Sequence, residues 1–262
     1  MLNVSFSIQD LEYFLLIFVR VSMFIYIAPF FGMSEVPYRL KVGLSFMLAL
    51  LLYQFVVPHM SLNYNTLMEY AILVMKEAIV GLLIGFAANI CLTIVQFAGS
   101  MIDMDIGLSM VSLFDPVSKQ MVGFTGTLYQ YALLLMLIVT DMHHWILKAF
   151  VDSYTLIPTG GIVINGDRLL ASMIQFMTDY MSIGFRIYLP VFAAMLLLNS
   201  VLGVLAKVAP QMNMFAVGMQ LKILLGLTVL FLTVGLLPGI SDFIFSEMKV
   251  MVTSFVKGMY VQ

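Results

Sequence analysis

Three histidines, one cysteine and a sparse set of charged side chains are the residues of this 262-residue sequence that could carry chemistry. His143 and His144 are adjacent, so on a helix they point roughly 100° apart. His59 is remote, and no Cys or acidic residue is read as completing a ligand set, so no metal site is expected. Cys91 is the only cysteine and can close no disulfide within the chain. Phosphate-binding Gly-rich loops, a G-x-S-x-G elbow and an H-E-x-x-H pair are all missing from the sequence. The expectation is a protein that is not an enzyme and carries no cofactor.

The charges that remain are few: 12 Lys plus Arg against 14 Asp plus Glu, a net charge of −2. That balance gives no electrostatic case for nucleic acid. Arg20 sits near the middle of an apolar stretch, where an unpaired guanidinium costs a few kcal/mol even on lenient insertion scales, roughly 2.5–3.5. Asp141 interrupts another apolar run and needs a donor. Arg186 and the neighbours Lys76 and Glu77 lie at segment ends. Such charges serve either an ion or proton pathway, or pairing between helices or subunits. The acids do not form the closely spaced chain that a relay needs, which favours pairing.

These residues must be positioned by apolar elements. Apolar residues make up 62% of the sequence and the mean hydropathy is +1.06. An ordinary soluble domain has about a quarter of its residues charged, so the solvent here is lipid, other protein, or both. No charge occurs in 42–68, 78–102, 120–140, 187–206 or 223–241. Each of these windows suits, at least in part, the roughly 20 residues that cross a hydrocarbon core. With Tyr13 to Phe31 they predict about six hydrophobic helices over 12–31, 40–58, 70–98, 127–151, 180–206 and 222–247. The apolar runs are continuous and do not alternate, so helices are expected and a barrel is not. The fold class is therefore an all-α integral membrane protein, with 1–262 as a single domain.

Residues 1–12 hold no Lys or Arg and include Asp10 and Glu12, so the first apolar segment is not expected to be a cleaved signal. Arg39 and Lys41, Lys119, and Lys207 with Lys222 mark the odd-numbered loops as cytoplasmic, placing both termini on the outside; Arg168, Lys249 and Lys257 oppose this. Gly81 and Gly85, with Ala78 and Ala88, prepare a close contact between helices. Pro29, Pro190 and Pro238 predict kinks or ends. A turn is expected at Pro158 to Gly161. An amphipathic helix should start near Asn165 or Asp167, with Leu169, Leu170, Met173, Ile174 and Met177 at helical spacing.

Residues 96–119 are the least ordinary stretch, read as part of a long loop from Gly99 to Thr127. They are too apolar for an exposed loop and too long for a tight hairpin. The 23 methionines, including Met101, Met104 and Met110 here and Met212, Met214 and Met219 later, are either filler or a deformable seal around a pore.

At Gln96, Gly99, Asp103, Gly107, Ser109, Phe114, Asp115 and Pro116 the chain resembles the FliR export-gate family of flagellar biosynthetic proteins, to which the virulence type III secretion gates are related. Residues 203–218 with Lys207, Pro210, Gln211 and Asn213, then Lys222 and Gly226, form a second matching block. Ser153, Tyr154, Pro158 and Gly160 form a third. Asp105 stands where the family commonly has Gln, and Gln220 where a Pro is common. The resemblance implies helical hairpins within a larger helical channel complex, built with FliP and FliQ, contacting FlhB and FlhA, and raised in part above the membrane plane. Such a gate passes unfolded flagellar export substrates across the bacterial cytoplasmic (inner) membrane at the flagellar basal body; in that membrane the outside termini read from the Lys and Arg pattern are periplasmic.

The resemblance also implies roles for residues. Asp103, Met104, Gly107, Met110, Phe114, Asp115 and Pro116 would plug the closed pore. Arg20, Gly81, Gly85, Arg186, Lys207, Pro210, Gln211, Asn213 and Lys222 would meet neighbouring subunits. The rivals are the equivalent gate of a virulence secretion system and a stand-alone secondary transporter. The glycines and prolines do not fall at matched positions of two halves, which disfavours the transporter.

Overall fold

A chain this apolar must satisfy its backbone polar groups internally, and helices do so within each segment. The computed structural model describes residues 8–55, 64, 66–109, 123–162, 165–211 and 213–260. Among them no strand occurs, and the helices are α1 (Ile8–Ile27), α2 (Tyr38–Phe55), α3 (Leu67–Ile90), α4 (Thr93–Ile106), α5 (Phe124–Val139), α6 (Met142–Leu156), α7 (Gly166–Val208), α8 (Met214–Thr233) and α9 (Leu237–Gly258), with a 3-10 turn at Val234–Leu236. The all-α membrane class is as expected. Among the described residues three helical stretches, Leu67–Ile106, Gly166–Val208 and Phe215–Gly258, are long and apolar enough to cross a membrane, or four if α5 and α6 form one span.

Local chemistry sets the helix ends. Thr66 caps α3, its side chain accepting from the Glu69 N–H at 3.3 Å, and the Thr-x-x-Glu spacing is that of a capping box. Asn165 accepts from the Arg168 N–H at 3.2 Å and so caps α7. Asn213 accepts from the Ala216 N–H at 3.4 Å and caps α8. Pro29 follows the end of α1, and Phe30 turns the chain at φ 67°. The bond from the Gly32 N–H to the Ala28 carbonyl closes that turn.

Several boundaries differ from the sequence expectation, and the sixth segment, expected over 222–247, is divided into α8 and α9 by the 3-10 turn. The third segment breaks at Cys91 and Leu92 and resumes as α4 to Ile106, so Gln96 to Ile106 is helix where a loop was expected from Gly99. The fourth segment divides at Thr140 and Asp141, where Asp141 adopts φ 55°. The amphipathic piece after Asn165 and the fifth segment are one continuous helix, and Pro190 is accommodated inside it. At 43 residues, α7 has a contour of about 65 Å, twice the roughly 30 Å of a hydrocarbon core.

The chain gathers into two compact units. The first comprises 1–91, 141–176 and 245–262; the second comprises 92–140 and 177–244. At the centre of the first is α1. Its stripe Tyr13, Leu16, Ile17, Arg20, Val21, Phe24 and Ile25 is buried, the three-and-four spacing of one helical face. That face packs on α3, where Gly81 and Gly85 are buried. A Cβ at Gly81 would run into the Arg20 carbonyl, and one at Gly85 would stand 2.9 Å from the Phe24 carbonyl. The Phe24 and Phe150 rings stack at 4.1 Å, which seats α6 on the same helix.

Replacing Gly81 with Leu should force α1 off α3 and destabilise the protein by about 1–3 kcal/mol. Gly43 has open space around its Cβ position, so Gly43→Ala should be neutral or stabilise by up to about 1 kcal/mol. Thermal unfolding of the detergent-solubilised protein checks both.

Candidate functional site

Two polar constellations are built into these apolar units. In the first unit, Arg20 and Glu77 are both fully buried and pair at 2.5 Å between Nε and Oε2. Arg20 Nη1 donates to the Ile157 carbonyl at 3.0 Å. Its guanidinium lies 4.2 Å over the Tyr154 ring, a cation–π arrangement. The second Glu77 oxygen accepts the Gly160 N–H at 2.8 Å, and Gly160 holds the left-handed φ of 82°. The Thr159 hydroxyl donates to the Tyr13 hydroxyl at 3.3 Å. One ion pair therefore fastens α1, α3 and the link between α6 and α7.

The block Tyr154, Pro158 and Gly160, singled out in the sequence, is the segment that this pair holds. Arg20, Gly81 and Gly85 were expected at contacts with other subunits; their partners are within the chain. Sequence reading flagged Arg20 and passed over Glu77, the residue that answers it 57 positions later. Near the start of α1 Tyr64 donates to Glu12. That bond, then burial and the Glu12 charge, raises the Tyr64 phenol above its ordinary value.

In the second unit, α4 and α5 form an antiparallel seam. Asp103 is buried and its carboxylate accepts the Thr125 N–H at 3.0 Å and the Thr125 hydroxyl at 2.5 Å. It thereby caps the first turn of α5 from another helix, an anion at the positive end of the helix dipole. A turn deeper, Gly99 lies so close to Gly126 that a Cβ would meet the neighbouring backbone. A further turn along, Gln96 donates to Gln130 at 2.6 Å. Gln96, Gly99 and Asp103, prominent in the sequence, thus join α4 to α5. Thr125, Gly126 and Gln130, their partners, were not singled out.

The remaining expected gate residues are placed as follows. Met104 is exposed at 67%, pointing away from the seam. Gly107 ends α4 at φ 91° with its N–H on the Asp103 carbonyl. Met110, Phe114, Asp115 and Pro116 lie outside the described residues. Asp105 accepts from the Tyr188 hydroxyl at 2.9 Å, tying α4 to α7. Arg186 and Lys207 are exposed on α7, Pro210, Gln211 and Asn213 are exposed in the turn that follows, and Lys222 is half-buried on α8.

Asp141, expected to be an interior charge, is exposed instead, with its carboxylate 3.4 Å from His144 Nδ1. The turn at Asp141 also corrects the reading of the histidines. Donor atoms of Asp141, His143 and His144 all lie within 4.8 Å of one another, so an acidic partner is at hand. Among the described residues these three are the ones that could hold a metal ion.

Removing Arg20 or Glu77 alone (Arg20→Met, Glu77→Leu) should destabilise the protein by about 3–5 kcal/mol, and removing both should cost less than the sum, because each single change strands a buried charge. Asp103→Ala should cost about 1.5–3 kcal/mol and expose the start of α5 to proteolysis. Unfolding of solubilised variants and limited proteolysis read these outcomes.

Comparison with known proteins places this architecture. Residues 11–248 match the family described as bacterial export proteins, family 1. The chain is 34% identical to the flagellar biosynthetic protein FliR of Bacillus subtilis over 92% of this chain and 93% of that one. It is 27% identical to the FliR of Escherichia coli over 87% of each. To the FliR of Aquifex aeolicus it is 27% identical over 85% of each. The chain belongs to the bacterial export proteins, family 1, the family of the flagellar biosynthetic proteins FliR.

Proposed function

We propose that this chain is a non-enzymatic subunit of the flagellar type III export gate, forming with FliP and FliQ the channel for unfolded flagellar proteins. Its family and its apolar helices make it a membrane-embedded component of protein export that works with other proteins of the apparatus. The finer reading names FlhB and FlhA as further contacts, the bacterial inner membrane as the location and the periplasm as the side of both termini.

The observation that carries the reading is the α4–α5 seam. Asp103 with Thr125, Gly99 against Gly126 and Gln96 with Gln130 fix both stems of 107–123. Such a clamp is what a plug needs if it is to be held across a pore while its centre deforms. Met104, Gly107, Met110, Phe114, Asp115 and Pro116 then form the gate, with Asp103 as its anchor. Methionine and phenylalanine give a soft seal, and Gly107 turns the chain out of α4. Arg186, Lys207, Pro210, Gln211, Asn213 and Lys222 offer the polar edge for neighbouring subunits. The flagellar branch is favoured over the virulence one because the relatives compared above are flagellar.

Deleting residues 108–116 should leave the complex assembled and raise leakage of ions and small solutes through membranes that contain it. Equal leakage from the deletion and the wild type at matched expression would overturn the plug. Loss of the gene should abolish motility.

A further inference from the structure

We propose that the groove at the α1–α2 turn is a binding site for one anionic phospholipid, its acyl chain on the apolar wall and its phosphate on Arg39 and Lys41. The groove is a cavity of about 540 Å³ walled by Phe30, Phe31, Leu44 and Met47, with both cations in its lining. That volume lies within the range of small-molecule sites, roughly 300–1,000 Å³. Its wall is open: Leu40 and Met47 are 64% and 65% exposed.

The charges decide the occupant. Lys41 Nζ donates to the Gly32 carbonyl at 2.9 Å and lies 5.7 Å from the Tyr26 ring, which holds the ammonium at the groove. Arg39 meets no acid among the described residues. The nearest carboxylate in sequence, Glu35, accepts from Ser34. Both cations stand at the start of α2, which has no acidic residue in its first turn, the end of a helix where positive side chains are disfavoured unless an anion joins them. An acyl chain brings no hydrogen-bonding groups, whereas a peptide brings a donor and an acceptor at nearly every residue. Phe30, Phe31, Leu44 and Met47 have no side chain able to answer those groups. A phosphate headgroup supplies the anion and a hydrocarbon tail matches the wall. The inference rests on the chain's membrane residence and not on the gate reading.

Photolabelling of the full chain, purified in mild detergent with the partners that accompany it, tests the site. The probes are phosphatidylglycerol and phosphatidylcholine carrying the same diazirine-bearing acyl chain, with adducts mapped by mass spectrometry. Phosphatidylglycerol adducts within 25–47 should exceed those of phosphatidylcholine by roughly tenfold, as two cations beside an anionic headgroup warrant. The R39Q/K41Q variant should bring the two probes level, and Leu44→Trp should remove both by filling the groove. Arg39→Gln alone changes an exposed side chain and should lower the preference without disturbing the fold. Equal labelling of the wild type by the two probes, a preference unchanged by Arg39→Gln, or no adduct within 25–47 would overturn the proposal.

Discussion

A guanidinium that is wholly out of solvent must be neutralised where it stands, and much of the first unit is arranged around that requirement. Arg20 finds Glu77 on α3, the Ile157 carbonyl beyond α6 and the face of Tyr154. Glu77 then has one oxygen left, and the Gly160 N–H takes it. The pair is only possible because α1 and α3 approach to backbone distance one turn away. Gly81, four residues from Glu77, leaves room for the carbonyl of Arg20 itself. Charge pair and glycine are one device, since a side chain at 81 would separate the two ions it stands beside. A buried pair of this kind is weak evidence for net stability. What it fixes is register: a shift of one residue along α1 would bury an unpaired charge.

The second unit repeats the principle with a different result. Gly99 and Gly126 bring α4 and α5 together, and the polar pairs Asp103–Thr125 and Gln96–Gln130 lie on either side of the contact. In the first unit the device fastens one segment to two others. In the second it fastens α4 to α5 on either side of the glycine contact.

The sequence made the helices visible because charge is excluded from hydrocarbon, and it made Arg20 and the Gly81–Gly85 pair stand out as exceptions. It could not say what answers them. Glu77 lies 57 residues from Arg20, and nothing local distinguishes it from a solvated charge at a helix end. The density of Gly, Ser and Asp after Gln96 reads as loop, yet the segment is helical to Ile106 because Asp103 is answered by Thr125 across the seam. The His143–His144 pair reads as ligand-poor because adjacent rings diverge on a helix, while Asp141, turned at φ 55° just before α6, brings a carboxylate close to His144. In each case the local pattern gave the element or the anomaly, and a long-range contact gave its meaning.

The burial pattern also bears on assembly. Within its most apolar window, only 11% of α7 is buried by the rest of the chain, against 56% for the stretch from Leu67 to Ile106. A helix with a contour of about 65 Å cannot lay all of that apolar surface in a hydrocarbon layer of about 30 Å. Whatever part of α7 extends beyond the layer would expose Leu, Phe and Met side chains to water. Other protein is the remaining cover, because hydrophobic surface outside lipid is stable only against further apolar surface. The buried charges Arg20 and Glu77 neutralise each other inside the chain, so such an assembly need not be held by that pair across its joints. Broad apolar faces can do that.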